Sequence, residues 1–181
     1  MNESREHWVD LEAPNKSILH WLFLVWVVGF AAWHIATNLF LDEPGLWQNA
    51  LHFAGFAVLT SVLYPTRWTE KSGEYIDLIY GLAVAFACCW VAASESRLYE
   101  DTLAVTGQAW QFNGFDWVAG AVLIIAAFDF SKRVSGWVIP VLILIALSYI
   151  LFLGESLPGV FRTASLPIDD VLFRTLYNDE G

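Results

Sequence analysis

The stretch FDWVAGAVLIIAAFDFSKR, residues 115–133, decides how many times this chain crosses a bilayer. Only the twelve residues from Trp117 to Phe128 run without a charge, between Asp116 and Asp129. A helix needs about 20 apolar residues, range about 17 to 25, to cross the hydrocarbon core. Four other stretches reach that length without strain: Ser17 to Leu41, Leu46 to Tyr64, Tyr75 to Ala93 and Gly136 to Gly154. Hydropathy alone therefore gives four spans and a short fifth, Phe115 to Phe130.

The basic residues supply an independent vote, because loops rich in Lys and Arg stay in the cytoplasm. Arg5 and Lys16 precede the first span, Arg67 and Lys71 follow the second, and Lys132 and Arg133 follow the fourth stretch. The Asp42-Glu43-Pro44-Gly45 turn has no base, and the connection Ser94 to Gly114 has only Arg97. With Arg162 and Arg174 at the other end, the nine bases divide six against three. That division predicts a cytoplasmic amino terminus, five crossings and an outer carboxyl terminus. Without the fourth crossing, Lys132 and Arg133 would fall on the wrong side.

Working outward, the whole chain has the composition of an integral membrane protein. Its 181 residues are 57% apolar and 15% charged, where soluble domains carry about a quarter charged residues. The mean hydropathy is +0.51. Nine Lys and Arg against nineteen Asp and Glu give a net charge of −10, which excludes electrostatic binding of nucleic acid. The first apolar run is too long, and its leader too acidic, for a cleaved signal peptide, so it is expected to remain as an anchor. Cys88 and Cys89 are adjacent inside an apolar run, which suits neither an ordinary disulfide nor a zinc site.

Tryptophans at 21, 47, 68, 117 and 137 fall near the predicted interfaces, where an amphipathic ring is favoured. Trp26, Trp33 and Trp90 lie deeper, and packing between helices outweighs lipid contact there because a buried indole N–H needs an acceptor. The connection Ser94 to Gly114 carries Leu98, Tyr99, Leu103, Val105, Trp110 and Phe112, so a packed or interfacial segment is expected. Beyond the fifth span, Ser165 can cap a helix, Pro167 suits its first turn, and Ile168, Val171, Leu172 and Leu176 recur at helical spacing. This reads as an amphipathic helix on the outer membrane face, with more protein expected to follow it.

Four groups of residues could carry chemistry. His20 and His34, fourteen residues apart, come within about 40° of one helix face and about 21 Å apart along the axis. That is the spacing of paired haem ligands, and His52 on the second span matches His34 in depth, giving a haem reading through His34 and His52. The competing reading, which outweighs it, makes His34 and His52 polar contacts across a tight helical hairpin and places His20 at the inner interface. Asp129 is expensive in lipid and so a functional candidate, yet Lys132 and Arg133 stand three and four residues on, at ion-pair spacing. Asp77, with Glu74, is at the predicted amino end of the third span, where the helix dipole favours carboxylates. No nucleotide, nucleophile or metal motif is visible, so neither catalysis nor a cofactor is expected.

Several short motifs together resemble a known family. They are His52-Phe53-Ala54-Gly55-Phe56, Val62-Leu63-Tyr64-Pro65, Tyr75-Ile76-Asp77, Asp116, Asp129-Phe130-Ser131-Lys132-Arg133, then Lys132 through Gly136, Trp137 and Pro140, with Tyr149, Leu157-Pro158-Gly159 and Leu176-Tyr177. Over about residues 45–181 the chain resembles the amino-terminal part of fused permeases of tripartite ATP-independent periplasmic (TRAP) transporters, of the class served by TAXI-type binding proteins.

The resemblance implies a secondary transporter of the bacterial inner membrane, driven by an ion gradient, usually sodium. It takes a carboxylated solute from a periplasmic solute-binding protein and pairs a small four-helix component with a large permease component. By that likeness residues 1–16 are a cytoplasmic tail, 17–133 resemble the small component, and 134–181 resemble the start of the large one. The family's substrate and sodium residues fall mostly beyond this stretch, so none is carried over. Asp129, Lys132, Arg133, Gly136, Trp137 and Pro140 are interface candidates. The expectation is an all-α bundle of five transmembrane helices with a carboxyl-terminal interfacial helix, acting as a scaffold and not competent for transport alone.

Overall fold

A computed structural model describes residues 18–40, 45–66, 71–98 and 110–178. These residues are helical with short connections, and no strand occurs among them. The helices are α1 (Ile18–Leu39), α2 (Gly45–Leu63), α3 (Lys71–Ala93), α4 (Gly114–Ser135), α5 (Val138–Ser148) and α6 (Ile168–Leu172). Five helical stretches are long and apolar enough to cross a membrane, the fifth being α5 and the turns that continue it to Ser156. The chain divides into two compact units, Met1–Glu43 and Pro44–Gly181. Residues 134–181 thus share a unit with 44–133.

The fourth stretch is longer than its hydropathy predicts. Its helix runs for 22 residues, Gly114–Ser135, with both aspartates inside it. Local chemistry extends it in both directions. Asn113 caps it by accepting from the Asp116 N–H, while Asp116 accepts from the Asn113 N–H, a reciprocal capping box that starts the helix before the apolar run. At the other end Lys132 and Arg133 favour the negative end of the dipole. Gly136 then stops the helix at φ 73°, a backbone region that costs any residue with a Cβ, and its N–H closes on the Lys132 carbonyl at 3.0 Å.

Within the second unit, α2 and α3 form an antiparallel hairpin and α4 packs across them. Small residues set the approach: a Cβ at Gly81 would stand 2.4 Å from Ser61 Oγ, so nothing larger than glycine fits opposite Ser61. The buried core comprises Ala57, Val84, Cys88, Val91, Leu123, Ala126 and Phe130, with residues of the carboxyl-terminal segment. α5 stays almost unburied. It continues as a π-helical turn, Tyr149–Leu153, and a 3₁₀ turn, Gly154–Ser156.

The carboxyl-terminal helix departs from expectation in three ways. Pro167, not Ser165, occupies the cap position, and the Ser165 N–H donates instead to Glu155 Oε1 at 3.2 Å. Only five residues are α-helical before the winding widens to a π-helix over Phe173–Tyr177. Its apolar side is covered by protein: Val171, Leu172, Phe173 and Tyr177 are buried, and Leu172 fills a notch left by Gly120. The change of winding after Leu172 turns Phe173 and Tyr177, rather than Leu176 alone, towards the bundle.

In the first unit α1 is a single apolar helix. Trp26, Phe30 and Trp33 stack along one side, with ring centroids 6.4 and 5.7 Å apart. Near its carboxyl end Thr37 Oγ1 and Asn38 Nδ2 both donate to the His34 carbonyl, at 3.1 and 2.8 Å.

Candidate functional site

The polar groups of the second unit gather at its two ends. At the end made by the close of α2, the start of α3 and the close of α4, Arg133 is the hub. Its Nη1 donates to Asp77 Oδ1 at 2.7 Å and to the Tyr64 carbonyl at 3.3 Å, and its Nη2 lies 2.6 Å from Asp129 Oδ2. The other oxygen of Asp77 accepts from the N–H and the hydroxyl of Thr66, both at 2.7 Å. The guanidinium carbon stands 5.6 Å from the ring centroids of both Tyr80 and Phe130. Asp77 and Arg133 are almost wholly buried, whereas Asp129 is about a third exposed (31%). Two carboxylates thus face one guanidinium, and three helix ends are tied through it. The neighbouring Lys132 turns away, its Nζ 4.4 Å from the Trp137 ring centroid.

At the opposite end the hub is Asp116, whose side chain is fully buried. Arg97 Nη2 donates to both of its oxygens at 2.7 Å. Trp90 Nε1 donates to Oδ1 at 2.9 Å, and the Asn113 N–H donates to Oδ2 at 2.7 Å. Arg97 Nη1 also reaches the Gln111 carbonyl at 3.4 Å. The Asp116 carbonyl accepts from the Tyr177 hydroxyl at 2.7 Å. Burial, reinforced by the Asp116 carboxylate, raises the pKa of the Tyr177 hydroxyl, so it stays a donor. The connection before α4 joins in: Trp110 stacks on Phe173 at 4.1 Å and Phe112 meets Tyr177 at 4.9 Å. Leu98 is fully buried. The remainder of that connection, 99–109, lies outside the described residues, as do the bases Arg5, Lys16 and Arg67.

Of the residues singled out by sequence, Asp129 and Arg133 come together one turn apart on α4. Asp77 joins them from another helix, where the dipole alone had accounted for it. Gly136 is the cap of α4, Trp137 covers Lys132, and Pro140 is buried near the start of α5. His34 belongs to the first unit, its ring 6.4 Å from Phe30 and 6.3 Å from Trp33. His52 belongs to the second, 4.7 Å from Phe56. Trp90 finds its acceptor in Asp116. The role of Asp116 was missed, although Asn113 followed three residues later by an acidic residue is a helix-start signal. Arg97 had no local signal, since its partner is nineteen residues away.

One cavity of about 270 Å³ lies between α2, α3, α4 and the carboxyl-terminal segment. Leu46, Phe53, Cys88, Leu123 and Leu176 make its walls, with Asn49, Thr175 and Asn178 as polar members. Among the described residues no charged side chain lines it. Cys88 and Cys89 are both free thiols, the first buried and the second exposed. Among the described residues no three His, Cys, Asp or Glu side chains converge as a metal site. No protein-family model matches the chain, and no curated protein or solved structure is significantly similar to it.

Proposed function

We propose that this chain is a membrane scaffold component of a TRAP-type secondary transporter, seated beside a large permease component in the bacterial inner membrane. The machine would be driven by an ion gradient, sodium by the family likeness, and would import a carboxylated solute handed over by a TAXI-type periplasmic binding protein. The observation that carries a scaffold role is the placement of charge. At the two ends of the α2–α4 bundle the buried Asp77 and Asp116 are paired with Arg133 and the partly exposed Arg97, and the exposed side chains of α3 between them are largely apolar. Such a bundle resists deformation at its ends and offers lipid or protein an uncharged surface, as the fixed part of an elevator machine requires. α5, with its exposed Val138, Leu142, Leu144 and Ile145, adds an apolar face to that surface.

The test is affinity purification from native membranes through an amino-terminal tag, with mass spectrometry and an absorption scan of one sample. Recovery of a large multi-span permease, or of a longer form of this chain, is the expected result. A coloured complex with redox subunits and no permease would overturn it in favour of a haem protein using His34 and His52. The acidic, aromatic connection 94–114 is the proposed contact for the binding protein. Full binding-protein affinity after its replacement by a Gly/Ser linker would remove it from that role.

A further inference from the structure

We infer that the cavity between α2, α3, α4 and the carboxyl-terminal segment is a groove that holds one acyl chain of a membrane lipid. This rests on the placement of the spans in a bilayer and is independent of the transport partner. The lining follows the helices. On α2 it comprises Leu46, Asn49, Ala50 and Phe53, at the spacing of a single helix face. α3 adds Cys88 and Val91, and α4 adds Leu123 and Ala127, again one turn apart on each helix. Three such stripes bound a void that runs along the helices for about 10 Å, the rise from Leu46 to Phe53. Leu46 opens the first turn of α2 and Val91 lies in the last turn of α3, so the groove begins at the Asp116 end of the bundle and runs inward.

An acyl chain fits that shape and that chemistry. It is uncharged, as is the lining among the described residues, and lipid tails run alongside spanning helices. An apolar cavity of about 150 Å³ holds the carbons of benzene, so about 270 Å³ admits nearly twice as many. Asn49 stands about one turn from the start of α2, whereas Phe53, Leu123 and Ala127 line the inward part with hydrocarbon alone. An amide near the end and apolar walls beyond it match an ester above its chain. The groove is open on one side, and Ala50, Phe53, Ala127 and Leu176 are only half-buried, so a chain enters from the surrounding bilayer without any segment moving. A tail gains nothing merely by exchanging lipid for another apolar surface. What holds it is dispersion contact with walls that otherwise face a void. A carboxylated solute would instead bring a charge against walls that offer it no cation among the described residues.

The test places the full chain in bilayer discs of phosphatidylethanolamine and phosphatidylglycerol, doped with a phosphatidylcholine that carries a photoreactive diazirine on one acyl chain. Mass spectrometry after irradiation locates the adducts. A diazirine at the chain's end should mark Phe53 and Ala127, and one near the ester should mark Leu46 and Asn49. Each should be marked more heavily than Ile79, Leu82 and Phe86, which lie exposed on α3. Ala127→Phe fills the groove and should cut its adducts about tenfold. Ala50→Leu, a smaller filling from α2, should cut them too and serves where Ala127→Phe does not fold. Ala83→Phe, at an exposed position of α3, should leave them unchanged. Adducts spread evenly over the exposed residues of α3 and the groove would overturn the proposal, as would adducts that a folded filling variant does not reduce. A chain that stays outside the discs would overturn the membrane placement and the groove with it, whereas even labelling inside the discs overturns the groove alone.

Discussion

The two ends of the α2–α4 bundle use the same pair of residue types and reach different outcomes. At one end Asp116 is matched by a single guanidinium, and its remaining capacity is met by an indole N–H and a backbone N–H, so charge and hydrogen bonds balance locally. At the other, Arg133 is shared by Asp77 and Asp129, the first almost wholly buried and the second about a third exposed. The comparison separates a carboxylate with no substitute from a guanidinium with a spare partner. Burial costs a charge heavily unless it is paired, so the first arrangement should be brittle and the second forgiving.

The sharpest way to break that comparison is Asp116→Ala. It removes the acceptor of Trp90 and of the Asn113 N–H and the ion-pair partner of Arg97, and should cost about 3 kcal/mol in thermal or denaturant unfolding, reduced somewhat because Arg97 is a third exposed and also reaches the Gln111 carbonyl. At the other end Asp77→Asn and Asp129→Asn should each cost about 1–2 kcal/mol, because either carboxylate still holds Arg133. Their combination should cost about 1 kcal/mol more than the sum, measured as a double-mutant cycle. Simple additivity would show that Arg133 is not shared. Gly136→Ala tests the cap beside Arg133 and should destabilise by about 1 kcal/mol through its positive φ, against little change for Gly114→Ala, whose added Cβ meets nothing.

The smallest effect is the titration of Tyr177 at the Asp116 end. Its pKa in the fold lies above the ordinary 10.0, so the folded chain holds a proton that the unfolded chain releases. The contribution is complete below pH 10 and falls as pH rises beyond it. Tyr177→Phe should lower stability by about 1 kcal/mol at neutral pH and flatten part of the decline above pH 10. An identical alkaline decline in both proteins would show that the hydroxyl is not buried beside the Asp116 carboxylate.

Much of the helix pattern was legible in the chain because crossing length and apolar run are both local quantities. The pairing of Asp129 with Arg133 was legible for the same reason, as four residues on a helix make one turn. The short fourth stretch was underestimated because apolar content ignores capping, and Asn113 with Asp116 starts the helix before the hydrocarbon-like residues begin. The carboxyl-terminal segment was misread for a subtler reason. Ile168, Val171, Leu172 and Leu176 define a stripe only if the winding stays α-helical, and the π-turn at Phe173 redirects the next five side chains.

What this sequence determined by itself is a set of five apolar helical stretches and the i,i+4 pairing of Asp129 with Arg133, since each follows from neighbours within a few residues. Only the tertiary structure decided that Asp77 meets Arg133 across 56 residues, that Arg97 and Trp90 converge on Asp116, and that Tyr177 reaches the Asp116 carbonyl across 61. A buried charge takes whichever partner the packing of small residues brings within reach. That choice is set by how closely Gly81 lets α3 approach α2 and Gly120 admits Leu172, a steric fact that no local pattern of hydropathy or charge encodes.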